Sequence, residues 1–169
     1  MQQNKNETGR ILLMNGPNLN MLGRRDPDQY GRFTLKDVED LTRETAAQFG
    51  FVVDCFQSNH EGELIDRIQA SLDEVDGLLI NAGAFTHYSY ALRDALELCP
   101  FPVAEVHISD IKKREPFRRI SVIEDACDCQ IAGHGIDSYR LAAAFICKSR
   151  LENPAGSDEP ECSEKADNA

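Results

Sequence analysis

The strongest constraint on the fold is a repeated alternation of short, unbroken apolar runs with helical patterns. The first run, Ile11-Leu12-Leu13-Met14, ends at Asn15-Gly16-Pro17. Continuous rather than alternating apolarity marks a strand covered on both faces. Phe51 to Phe56, Gly77 to Asn81 and Val103 to His107 repeat the signal. Ser121 to Ile123 and Gln130 to Ala132 carry weaker versions, one of which supplies a fifth strand. Between the strands lie helical patterns. Thr34 to Asp37 fits a capping box, followed by Leu35, Val38, Leu41, Thr42, Thr45 and Phe49 at helical spacing and by Gly50 as a stop. Helices are also expected from about 62 to 72, from 89 to 98 before Pro100, and from 138 to 149. Five such alternations predict an α/β fold: a five-stranded parallel sheet, doubly wound, with helices on both faces and right-handed crossovers. The segment 16–33 is too polar for either element and reads as a long functional loop.

Length and charge narrow the partners. A chain of 169 residues is expected to form one domain over 10–150, with a disordered start at 1–9. Residues 151–169 read as a disordered acidic tail; from Glu152 on, the net charge is −5 of the chain's −11. An acidic chain has no general attraction to nucleic acid or to an anionic membrane. No apolar run approaches membrane-spanning length, and the polar start MQQNKNETGR does not read as a secretory leader. The six cysteines lack zinc or redox spacing and are expected to be reduced thiols of a cytoplasmic protein. An anionic substrate would need a local basic pocket.

In folds of this kind, ligands bind at the carboxyl ends of the strands. Polar groups collect there: Asn15 and Asn18, Asn59 to Glu61, Asn81 and His87, and Glu105, His107 and Ser109. Glu105 and His107 are two apart on a strand and so share a face. They are either a structural pair or a general acid with its orienting carboxylate. Tyr30 follows Arg24 and Arg25, whose charge would stabilise a phenolate. Lys112 to Arg119 holds five positive charges: an anion grip, a solvated face or subunit contact, or a nucleic-acid patch, against which the net charge and the scarcity of aromatics argue. Gly133-His134-Gly135 lacks the third glycine of a dinucleotide fingerprint and reads as a tight turn.

Four segments in order, NGPNLNMLGRRDPDQYG at 15–31, QSNHEGELID at 57–66, INAGAFTHYSYALRD at 80–94 and EVHISDIKKREPFRR at 105–119, resemble the type II 3-dehydroquinate dehydratases. The resemblance runs from Ile11 to Ile146. It implies a flavodoxin-like fold and the dehydration of 3-dehydroquinate to 3-dehydroshikimate by anti elimination through an enolate, with no cofactor, metal or Schiff base. It implies that Tyr30 removes the C2 proton, with Arg25 stabilising its phenolate and Asn18 beside it. It implies that Asn81 holds substrate and an enolate-stabilising water. It implies that His107, oriented by Glu105, protonates the leaving C1 hydroxyl, and that the amides of Ile108 and Ser109 bind the carboxylate. His87, Asp94 and Arg118 match residues that bind ring hydroxyls, and Arg114 matches an arginine of the closing lid. A homododecamer, a tetramer of trimers, is implied as well. Asp110, Ile120, Glu124-Asp125 and the stretch from Cys127 to Gln130 depart from the family pattern.

Overall fold

The computed structural model describes residues 9–154. Five parallel strands, β1 (Gly9–Asn15), β2 (Phe51–Gln57), β3 (Gly77–Asn81), β4 (Val103–His107) and β5 (Cys129–Ala132), stand in the order β2-β1-β3-β4-β5. This is the flavodoxin-like order, whose direction of winding reverses between β1 and β3. The longer helices are α2 (Leu35–Ala47), α3 (Glu61–Ser71), α4 (Tyr90–Leu96) and α5 (Asp137–Glu152). A four-residue helix, α1 (Pro27–Tyr30), lies inside the long loop.

β1 shows why apolarity had to be continuous. Ile11 and Leu13 face one core, with Val38 and Ala46 of α2 and Ala142 and Ile146 of α5. Leu12 and Met14 face the other, with Leu64 and Ile68 of α3 and Leu92 and Leu96 of α4. All four β1 side chains are fully buried. The α2 capping box is present: Thr34 N donates to Asp37 Oδ2 at 2.7 Å, and Asp37 N donates to Thr34 Oγ1 at 3.3 Å.

Several boundaries differ from the sequence reading. Gly9 belongs to β1, so its ordered register with Phe51 corrects the expectation of a disordered 1–9. Residues 121–123 are not a strand; they lead into a short turn at Glu124–Ala126, and β5 is the fifth strand. Ser89 is the cap of α4 rather than part of it, its side chain accepting from Leu92 N at 3.0 Å. α5 runs to Glu152, so Leu151 and Glu152 are helical and not tail. Residues 1–8 and 155–169, on which the other expectations of disorder fall, lie outside the described residues.

At the carboxyl end of the sheet, the loops after β1 and β3 touch backbone to backbone. Gly16 N donates to Asn81 O at 2.7 Å. A Cβ on Gly16 would stand 2.5 Å from Ala82 O, so only glycine fits this crossing.

Candidate active site

A cavity of about 110 Å³ opens over the ends of β1, β3 and β4. Its lining is mostly polar and charged side chains and backbone from the three strand ends. The site stands beside the β1–β3 reversal, where doubly wound sheets bind ligands. Ten of the twelve residues singled out in the sequence line it: Asn18, Arg25, Tyr30, Asn81, His87, His107, Ile108, Ser109, Arg114 and Arg118. Glu105 lies directly behind His107, fully buried. Asp94 is exposed on α4 and does not line this chain's cavity. Pro17, Leu19, Gly83, Ala84 and Ile111 also line the cavity; apolar or featureless in sequence, they carried no chemical signal.

One wall is built on Tyr30 at the end of α1. Asp26 caps that helix, its side chain accepting from Asp28 N at 3.0 Å, and Pro27 opens it. The guanidinium of Arg25 lies over the Tyr30 ring, 3.7 Å from its centre. The group that touches the phenol oxygen is instead Arg114, whose Nη1 donates to Tyr30 Oη and to Ser109 Oγ, each at 3.2 Å. Burial acts to lower the Arg114 pKa, but the Tyr30 oxygen and the Glu115 charge raise it above the ordinary value, so Arg114 stays charged. The resemblance named Arg25 alone as the cation beside Tyr30; the geometry puts two cations there, one over the ring face and one at the oxygen.

The opposite wall is the end of β4. Glu105 Oε1 and His107 Nε2 are 2.6 Å apart. Burial pushes the Glu105 carboxyl up, but hydrogen bonds from His107, Gln130 and Ser121 outweigh it and hold the group below the usual carboxylate range. An ionised Glu105 can only accept, so Nε2 carries the proton and Nδ1 is left for the cavity. His87 Nδ1 lies 2.8 Å from Ile120 O. A carbonyl only accepts, so Nδ1 donates and Nε2 presents a lone pair. Burial lowers the His87 pKa and keeps the ring neutral. Arg118 completes this side, within 3.3 Å of Glu115.

The floor is a buried amide–phenol–amide chain. Tyr139 Oη donates to Asn15 Oδ1 at 2.8 Å and accepts from Asn81 Nδ2 at 2.8 Å. Asn81 Oδ1 accepts from Gly83 N at 3.1 Å. Asn18 is the one non-glycine residue with positive φ among the described residues, at 66°, and its N–H donates to Asn59 Oδ1 at 2.9 Å. The atypical Asp110 turns its charge onto Lys113, with Oδ2 and Nζ 3.1 Å apart, and does not line the cavity. Its charge is thus paired outside the cavity.

The sequence matches the family model described as Dehydroquinase class II over residues 9–147. The chain belongs to this family. Among relatives of this class II dehydroquinase, the 3-dehydroquinate dehydratase of Thermotoga neapolitana is 52% identical over 144 residues, covering 85% of this chain and 98% of that protein. The catabolic 3-dehydroquinase of Penicillium rubens is 49% identical over 146 residues, covering 86% and 94%. The crystal structure of type II dehydroquinase from Butyrivibrio crossotus superposes with a TM-score of 0.79 at 44% identity, covering 82% and 97%. Among the described residues of this dehydroquinase, no group of three or more His, Cys, Asp or Glu side chains is placed to hold a metal ion. No described helix is long and apolar enough to cross a membrane.

Proposed function

We propose that this chain dehydrates 3-dehydroquinate to 3-dehydroshikimate by anti elimination, with Tyr30 as base and His107 as acid. The observation that carries the reading is the pairing of two stations across one small cavity: a phenol bracketed by two guanidiniums, facing an imidazole backed by a buried carboxylate. The Tyr30 phenolate takes the C2 proton, and the C–H electron pair moves into an enolate at the C3 carbonyl. Return of that pair expels the C1 hydroxyl, which leaves as water with the proton supplied by His107. A proton beside a ketone needs a base and enolate stabilisation, and a hydroxyl leaving group needs an acid. In this reading Asn81 helps hold the enolate oxygen through a water, and the Ile108 and Ser109 amides take the carboxylate. His87 Nε2 and Arg118 meet ring hydroxyls, and Arg114 with Asn18 holds the Tyr30 segment closed over the ligand.

We place Asp94 in the same reading as the contribution of a second copy. It is exposed and outside its own chain's cavity, and the large side chains Tyr88, Tyr90, Phe117 and Ile120, which flank His87, α4 and Arg118 in sequence, are each more than half exposed. An assembly of several copies, up to the dodecamer the family resemblance implies, would cover them. Light scattering at working concentration tests this, and a monomer of 18.9 kDa would count against it.

The deciding experiment for the activity is an ultraviolet assay of enone formation from 3-dehydroquinate. No absorbance rise with folded protein would sink the reading. The activity is expected to survive chelators and borohydride with substrate, since no lysine lines the cavity. Inactivation by borohydride only in the presence of substrate would point to a Schiff base and against this mechanism.

A further inference from the structure

Glu105 is held by more than its histidine. Ser121 Oγ sits 2.8 Å from Glu105 Oε1 and 3.0 Å from Oε2. Gln130 Nε2 sits 3.0 Å from Oε2. A carboxylate offers only acceptors, so all three partners donate to it. Each contact has a structural cause. Glu105 and Gln130 are register partners across β4 and β5, so their side chains leave the sheet side by side on one face. Ser121 is fixed by a local turn in which its oxygen also accepts from Ile123 N at 3.3 Å, and Ile123 is fully buried. Gln130 falls within the stretch in which this chain departs from the family pattern.

We propose that Ser121 and Gln130 are positioning residues for His107, acting through Glu105. Together they fix the plane of the carboxylate: Gln130 donates to Oε2, and the single Ser121 O–H lies between the two oxygens, which leaves Oε1 turned to Nε2. The imidazole is thereby locked in one orientation, with Nδ1 toward the cavity. The donors also spread the carboxylate charge, so Glu105 orients the imidazole without drawing its proton away. The proposal rests on His107 being the acid of the reaction. Other titratable or charged groups facing the pair are His87 and Arg118 from the cavity and the Cys127 and Cys129 thiols from the β5 side. Burial raises both thiols, Cys129 to about 11, so neither charges in the working range.

The test uses Ser121→Ala, Gln130→Leu and, keeping the hydroxyl, Ser121→Thr, with His107→Asn as the control for the acid. Hydrogen bonds to a charged group are worth enough that each loss is expected to lower kcat by about 10-fold, with KM changed by less than about twofold. Without its donors the carboxylate holds the shared proton more firmly, so the alkaline limb of kcat moves to higher pH. Ser121→Thr is expected to restore most of kcat and the limb. If Ser121→Ala fails to fold, Gln130→Leu and Ser121→Thr carry the test, because Gln130 is only partly buried. Folded Gln130→Leu and Ser121→Ala with unchanged kcat and pH profile, beside an inactive His107→Asn, would overturn the clamp and leave the acid standing. An active His107→Asn would overturn the acid itself.

Discussion

The central carbon of the Arg25 guanidinium stands over the Tyr30 ring, 3.7 Å from its centre, while the phenol oxygen bonds to Arg114. If Tyr30 is the base proposed above, a cation there acts on the phenolate through the ring face, and a planar guanidinium also stacks where an ammonium does not. Arg25→Lys keeps the charge and loses the plane; Arg25→Gln loses both. Arg25→Gln is expected to lower kcat by about 3- to 30-fold and to move the acidic limb of the pH profile to higher pH. Arg25→Lys should fall between it and the wild type. Equal activity of Lys and Gln variants would show that the ring-face charge is irrelevant.

Tyr30→Phe removes one hydroxyl whose hydrogen bond within the described chain is to Arg114. The fold is therefore expected to survive and turnover to drop by about 10²-fold or more, as loss of a general base does. Circular dichroism checks the first half and the enone assay the second. Retention of a tenth of kcat would remove Tyr30 from the base role.

Tyr139→Phe strands two buried groups at once, Asn15 Oδ1 and Asn81 Nδ2. Leaving buried polar groups without partners costs about 1–3 kcal/mol for each. The urea midpoint should fall accordingly, and KM should rise because Asn81 loses its tether. A midpoint unchanged within error would mean that the phenol does not anchor the amides.

Acid stability follows from two depressed groups. His87 sits below its ordinary value of 6.5 because burial disfavours its charged form. The unfolded chain then binds the proton first, so stability falls as pH drops below 6.5 and through the folded value. For Glu105, burial acts upward, yet the His107, Gln130 and Ser121 hydrogen bonds hold it below its ordinary 4.5. Its contribution is present above 4.5 and is lost as pH falls further, through the folded value. Melting temperatures from pH 8 to pH 4 should show a two-part decline, and His87→Gln should erase the upper part. Parallel curves for the two proteins would refute the His87 share.

The sequence carried the architecture because each strand is buried on both faces and so wrote itself as a solid apolar run. The pairing of Glu105 with His107 was legible for a similar reason: a spacing of two on a strand settles the face. Contacts set by register or long-range docking were not legible. Gln130 reaches Glu105 because β5 happens to align those two residues, and Tyr139 meets Asn15 across 124 positions of chain. The short helix at Pro27–Tyr30 was hidden in a polar loop, since four residues show no periodicity. Asp94 was placed in the site by resemblance, and it lies outside this chain's cavity lining.

Tyr139 belongs to the last helix, yet it holds the ends of β1 and β3. Tyr30 leaves the ribosome more than a hundred residues before the phenol that ties the cavity floor together. β5 and α5 must dock before the cavity has its floor and before Glu105 has its Gln130 partner. A chain folded only as far as β4 would lack both the Gln130 bond to Glu105 and the Tyr139 bonds to Asn15 and Asn81, so the cavity is completed by the elements that come last in sequence.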